Sequence, residues 1–109
     1  MKTLKFIVNK HIITLDPSYD AELLVPGTRG QMQAEFTFSS DWNNCAKVVA
    51  FYSNLGTEFE PRVLKNGKVC DIPPEALAKS IFKVKVLGQK NDQTFSTNKV
   101  TVYQRGGKA

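Results

Sequence analysis

Alternation with a period of two runs through much of this chain. In QMQAEFTFS (31–39), Met32, Ala34, Phe36 and Phe38 fall on one side, and Gln33, Glu35 and Thr37 on the other. That is the pattern of a strand with one face on a core and one in water. SIFKVKVLG (80–88) repeats it, with Phe82, Val84 and Val86 opposed to Lys83 and Lys85. In QTFSTNKVTVYQ (93–104), Val100 and Val102 alternate with Thr101 and Tyr103. TLKFIV (3–8) and HIITL (11–15) are short and β-branched, and LLV (23–25) precedes the turn cluster PGTRG (26–30). AKVVAFYS (46–53) is apolar on both faces and is expected inside a sheet. TEFEPRVL (57–64) contains Pro61, which lacks a ladder N–H and predicts an edge or a bulge. The Asn-Gly of KNGK (65–68) predicts a two-residue hairpin turn joining 57–64 to 68–72, and QKND (89–92) a turn after 80–88.

One stretch breaks the pattern. In GKVCDIPPEAL (67–77), Ile72 precedes a proline and must stay extended. Pro73 then ends the ladder, Pro74 suits a first helical position, and Glu75 places negative charge beside the helix N-terminus. A helical turn follows, with Leu77 packing inward, and its expected role is to carry the chain from one sheet to another. Short strands with frequent turns and one helix predict an all-β, immunoglobulin-like β-sandwich of about seven to nine strands, the helix following Pro73. The 109 residues fit a single domain over 1–109, with 105–109 (RGGKA) as a flexible tail.

Composition narrows the picture only slightly. Hydrophobic residues make up 41% and charged residues 23%, which suits a folded domain rather than a disordered one. No run approaches the roughly 20 apolar residues of a membrane helix, so no membrane partner is expected. Lys5, Asn9 and Lys10 interrupt the N-terminal stretch, which is expected to be mature protein made in a cytoplasm rather than a signal peptide. The net charge of +5 is uneven: residues 1–61 hold five basic and seven acidic residues, and 62–109 hold ten and three. A basic half suits an acidic partner or nucleic acid. It also suits solvated strand faces whose lysines discourage edge pairing. The lysines are spread along strands, which favours the solvated reading.

The search for chemistry finds no constellation. His11 sits in an apolar strand with no nucleophile or carboxylate beside it in sequence, and a structural role is expected. Cys70, flanked by strand residues, is expected to be a buried thiol. A Cys45–Cys70 bridge is open to the sequence, although a cytoplasmic product keeps its thiols reduced. Glu58 and Glu60 share a strand face but are too few ligands for a cation. GTRG (27–30) lacks the Lys-Ser/Thr of a phosphate loop. No metal or cofactor site is expected. Trp42, in the polar loop SSDWNN (39–44), either plugs the end of a sandwich core or, if exposed, stacks on a sugar or base together with Tyr52 or Tyr103. Nucleic acid is disfavoured, because period two puts Phe82 and Lys83 on opposite faces.

The segments FSSDWNNCAKVVAFYS, VLKNGKVCDIPPEAL, FKVKVLGQ and FSTNKVTV, in this order, resemble small β-sandwich domains of tailed-bacteriophage structural proteins. These are the N-terminal domain of the baseplate upper protein family and similar domains in head-fibre proteins. The matching positions span about 31–103 and include Trp42, Lys47, Gly67, Cys70, Pro73, Glu75, Leu77, Gly88, Thr97 and Asn98. The resemblance implies that these residues define the fold and do no catalysis. It implies a non-enzymatic virion component, a head-fibre or decoration subunit or a tail or baseplate part, that binds other virion proteins and itself as a homo-oligomer. Candidate contact regions for such assembly are the N-terminal region 1–15, outside the resembling segments, as an assembly strand or arm, and the basic C-terminal half, facing an acidic partner. The alternatives are a module that binds a host-surface glycan and a single-stranded nucleic-acid binder.

Overall fold

Alternation becomes two packed sheets. The computed structural model describes residues 2–16, 32–78 and 81–103. The strands are β1 (Lys2–Asn9), β2 (Ile12–Leu15), β3 (Met32–Phe38), β4 (Ala46–Ser53), β5 (Arg62–Val63), β6 (Val69–Asp71), β7 (Ile81–Lys90), β8 (Gln93–Ser96) and β9 (Val100–Tyr103). A short helix, α1 (Pro74–Leu77), lies between β6 and β7, and a 3-10 turn, Ser40–Trp42, precedes β4. The first sheet has the order β2-β1-β3-β6; the second has β5-β4-β7-β8, with β9 also on β7. This is the expected all-β sandwich. The expected strand and turn at 23–25 and 26–30 and the tail at 105–109 lie outside the described residues.

The inner faces are the ones that the alternation marks. Leu4, Phe6, Val8, Ile13, Ala34 and Phe36 from the first sheet meet Val49, Phe51, Phe82, Val84, Val86 and Val102 from the second, all buried. Phe6 and Phe36, paired across the parallel β1–β3 ladder, stack with centroids 5.0 Å apart. β4 lies between β5 and β7 and buries three residues in a row, Val49, Ala50 and Phe51, as its apolar character requires. No helix among the described residues is long and apolar enough to cross a membrane.

The Pro-Pro stop works as expected. β6 belongs to the first sheet and β7 to the second, so α1 carries the crossover. Pro73 occupies the N-cap, Glu75 stands exposed in the first turn, and Ala76 and Leu77 are buried and close that end of the core.

Four expectations are corrected. The strand at 57–64 contracts to Arg62–Val63, with one further bridge, Glu58 to Tyr52, because Pro61 cannot donate to a ladder. The Asn66-Gly67 turn is present, with φ of 54° and 68° and a bond from Lys68 N–H to the Lys65 carbonyl. An antiparallel bridge between Lys65 and Val69 closes it as in a hairpin, but beyond that bridge β5 and β6 part into different sheets, so the turn also forms a corner between them. The strand from 80–88 extends to Lys90 and turns at Asn91-Asp92, where Asn91 has φ 54°. The segment 93–104 divides into β8 and β9, which pair successively with the same edge of β7.

The N-terminal region, a candidate assembly strand or arm in the sequence, is packed within the fold. Residues 2–15 form a hairpin whose first strand sits in the interior of its sheet, between β2 and β3. Leu4, Phe6, Val8 and Ile13 supply a third of the core named above and are at most 1% exposed. An arm that reaches for another subunit would have to leave these residues in water. Truncating Phe6 should therefore cost as much as truncating any core aromatic, about 3–5 kcal/mol for Phe6→Ala. Urea unfolding should show that loss, and a chain lacking residues 1–15 should give no cooperative transition.

Candidate functional site

Four of the positions singled out in the sequence, Trp42, Gly88, Thr97 and Asn98, gather at one end of the sandwich, whereas Pro73, Glu75 and Leu77 belong to α1. The turn Ser40–Trp42 places the Trp42 indole over β7 at Gly88, where no side chain stands. A Cβ at that position would lie 2.6 Å from Trp42 Cζ3 and 3.0 Å from Phe95 Cε2 and Cζ. The indole packs on Phe95 at 4.7 Å and on Phe38 at 5.4 Å between centroids. Its Nε1–H donates to the Lys10 carbonyl at 2.7 Å. Trp42 is 1% exposed.

Thr97 and Asn98 hold the same end by polar contacts. The Val86 N–H donates to Thr97 Oγ1 at 3.1 Å, and the Thr97 N–H donates back to the Val86 carbonyl at 3.0 Å. Asn98 reaches the other sheet. Its Oδ1 accepts the Ile13 N–H at 2.9 Å, its Nδ2 donates to the Ile13 carbonyl at 3.4 Å, and its own N–H donates to the His11 carbonyl at 3.2 Å. A carboxamide here pairs with an edge strand much as a backbone peptide group would. This is why 93–104 is broken into two strands: the chain between them turns to bond both Val86 and β2.

Trp42 takes the first of its two expected roles, the plug, and the alternative, a glycan platform of Trp42, Tyr52 and Tyr103, is not assembled. Trp42 is enclosed because Gly88 lets it sink between the sheets. Tyr52 and Tyr103 lie on the outer face of the second sheet, away from it. Tyr52 carries the Lys99 ammonium 4.0 Å above its ring centroid, and Tyr103 is 64% exposed. Burial raises the Tyr52 phenol above its ordinary range, and a hydrogen bond to Glu58 and that carboxylate's charge add to the effect.

The remaining chemical groups stand apart. Cys70 faces the core on β6, opposite Ala34, and both cysteines are free thiols. Burial pushes the Cys70 thiol up to about 12, and the neighbouring Asp71 charge adds to this. A thiol so shifted is no nucleophile near neutral pH. His11, expected inside a strand, is instead exposed in the β1–β2 turn, edge-on to Phe95 at 6.2 Å. Glu60 is exposed and pairs with Arg62 at 3.4 Å. Among the described residues, no three His, Cys, Asp or Glu side chains are grouped to hold a metal.

Two depressions flank the Trp42 plug. One, of about 400 Å³, is lined by His11, Asp41, Gln93, Thr94 and Phe95. The other, of about 440 Å³, lies along the end of β3 and is closed by the Trp42–Asn43 turn, the start of β4 and the 66–68 turn; it includes Phe38, Asn43, Lys47, Asn66 and Lys68. Sequence reasoning missed it, since its walls come from four separate segments. Comparison with family models, with curated proteins and with solved structures finds no match to this chain.

Two outcomes are expected. Gly88→Ala should destabilise the fold by about 1–3 kcal/mol through overpacking against Trp42, and the tryptophan emission of the folded protein should shift to the red. In native protein a thiol reagent should modify Cys45 and spare Cys70. Because burial holds the Cys70 thiol above the value of 9.0 that it has when solvated, its protonated form supports the fold fully below about pH 9. That contribution falls by about 1.4 kcal/mol per pH unit between about 9 and 12. The difference in stability between wild type and Cys70→Ala, followed over that range, should shrink accordingly.

Proposed function

We propose that this chain is a non-enzymatic virion structural protein of a tailed bacteriophage, a head-fibre or decoration subunit or a tail or baseplate component. It is made in the host bacterial cytoplasm and acts by protein–protein assembly, including association with further copies of itself. The observation that carries the proposal is the contrast between the two outer sheet faces. On the second sheet, register aligns Val63, Val48 and Leu87 in one row, Tyr52, Lys83 and Thr101 in another, and Ile81 with Tyr103 in a third. Val63 is 74% exposed. On the first sheet, the outer rows are Lys5, Glu35 and Val69, then Thr3, Gln33 and Asp71, and then Thr14, Ile7 and Thr37, with the exposed Ile12 beside Asn9.

One outer face is therefore mostly polar, with both charge signs and with Ile7 and Ile12 among them. The other combines aliphatic and tyrosine side chains with Lys83, Lys85 and Lys99, against the Glu58 carboxylate beside Tyr52. Partly exposed apolar rows interleaved with mostly positive charge suit a protein interface with an acidic complement: apolar burial supplies affinity and the lysines set orientation. The resemblance supplies the virion setting, and the structural placement of Trp42, Gly88, Thr97 and Asn98 agrees with its implication that they build the fold.

Immunogold electron microscopy of particles from a phage carrying this gene tests the reading. Regular label on the head or at the tail tip is expected. Particles without label would overturn it. The double charge reversal Lys83→Glu/Lys85→Glu should lower the number of copies on particles at least about tenfold, since like charges at an interface cost several kcal/mol. Lys5→Glu, on the opposite face, should leave incorporation unchanged.

A further inference from the structure

We propose that the cleft between the end of β3 and the start of β4 is a binding site for an acidic saccharide. Its volume of about 440 Å³ falls within the range of about 300–1,000 Å³ usual for small-molecule sites. The floor is aromatic. A series of ring contacts runs through the core from Phe6 to Phe36 to Phe38 to Trp42, and it surfaces at Phe38, which is partly exposed. The partly exposed Phe38 ring, with the Lys47 ammonium over it, sets apolar surface next to a cation, a combination that suits the C–H groups and the carboxylate of an acidic sugar.

The rim is polar, and its groups converge. Lys47 lies on the inner side of β4 at the mouth of the sandwich, with its ammonium 5.2 Å from the Phe38 centroid. The Cys45 carbonyl accepts one of its three N–H groups, at 3.3 Å; an ammonium has two more to direct at a ligand. Lys68 follows Gly67 in the corner turn, where a Cβ at Gly67 would lie 3.9 Å from the Lys47 ammonium. Asn43 and Asn66 bring carboxamides that both donate and accept, and Glu35 brings an acceptor. Two ammonium groups against one carboxylate favour a ligand with a carboxylate of its own. Amides and a carboxylate around an aromatic floor favour hydroxyls over a purely apolar body.

The site is independent of the docking face proposed above, which lies on the outside of the second sheet. It differs from the platform expected of Trp42, Tyr52 and Tyr103: the stacking ring is Phe38 and Trp42 is the wall beneath it.

Trp42 is the chain's single tryptophan and lines this cleft, so its emission reports on occupancy. Trigalacturonate titrated into the full chain should change it saturably, with a dissociation constant of order 1 mM or tighter, while maltotriose at the same concentrations should not. Lys47→Met, which keeps the stem and removes the charge, should weaken the response at least about tenfold. Lys68→Ala, at an exposed turn position, should weaken it without any effect on folding. A flat titration with trigalacturonate would overturn the proposal. So would an equal response to maltotriose, tighter binding of uridine monophosphate, or binding that both lysine variants leave unchanged.

Discussion

The fit of the Trp42 indole over Gly88 is the contact on which one end of this molecule depends. It joins four segments at once: β7 through the missing Cβ of Gly88, β8 through Phe95, β3 through Phe38, and the N-terminal hairpin through the Lys10 carbonyl. The indole can be fully buried because its one polar group finds a partner; an unpaired N–H at that depth would cost on the order of 1–3 kcal/mol. Any side chain at position 88 lifts the ring. The hydrogen bond to the hairpin and the floor of the adjoining cleft then change together.

The two sheets share no strand, and the polar ties at this end go to the N-terminal hairpin. Trp42 bonds Lys10, and Asn98 bonds Ile13 and His11. Residues 2–15 are thus held by the same positions that carry the family resemblance, although they lie outside the resembling segments. The apolar interdigitation of Phe6, Val8, Phe82 and Val84 supplies the bulk of the stabilisation, as burial does in any sandwich. The polar ties decide the relative placement of the sheets.

That division bears on function. A frame fixed from within leaves both outer faces free to differ, and they do. The buried thiol of Cys70 is held protonated by the same apolar surroundings that make it a good packing residue. The features proposed to act are on the surface: a sheet face with lysines among apolar rows and a cleft where one aromatic ring reaches solvent.

Much of the fold was legible from short-range pattern. A pleated strand puts every second side chain on one side, so a run such as Phe82, Val84 and Val86 declares its buried face without knowledge of its neighbours. Proline chemistry is equally local, and it located the crossover at Ile72–Pro74 and the weakness of the ladder near Pro61. Gly88 and Trp42 stood out as residues, but their contact joins strand to turn across 46 positions of chain, and no local rule pairs them. The parallel pairing of β1 with β3, the Asn66-Gly67 corner between sheets and the Asn98–Ile13 bonds across 85 residues are likewise products of packing. So is the Phe38–Lys47 cleft, built from segments that meet only when the sheets close. Periodicity and turn chemistry are properties of neighbouring residues and can be read along the chain; register, sheet membership and concave surfaces arise from long-range contacts, and tertiary structure alone decided them.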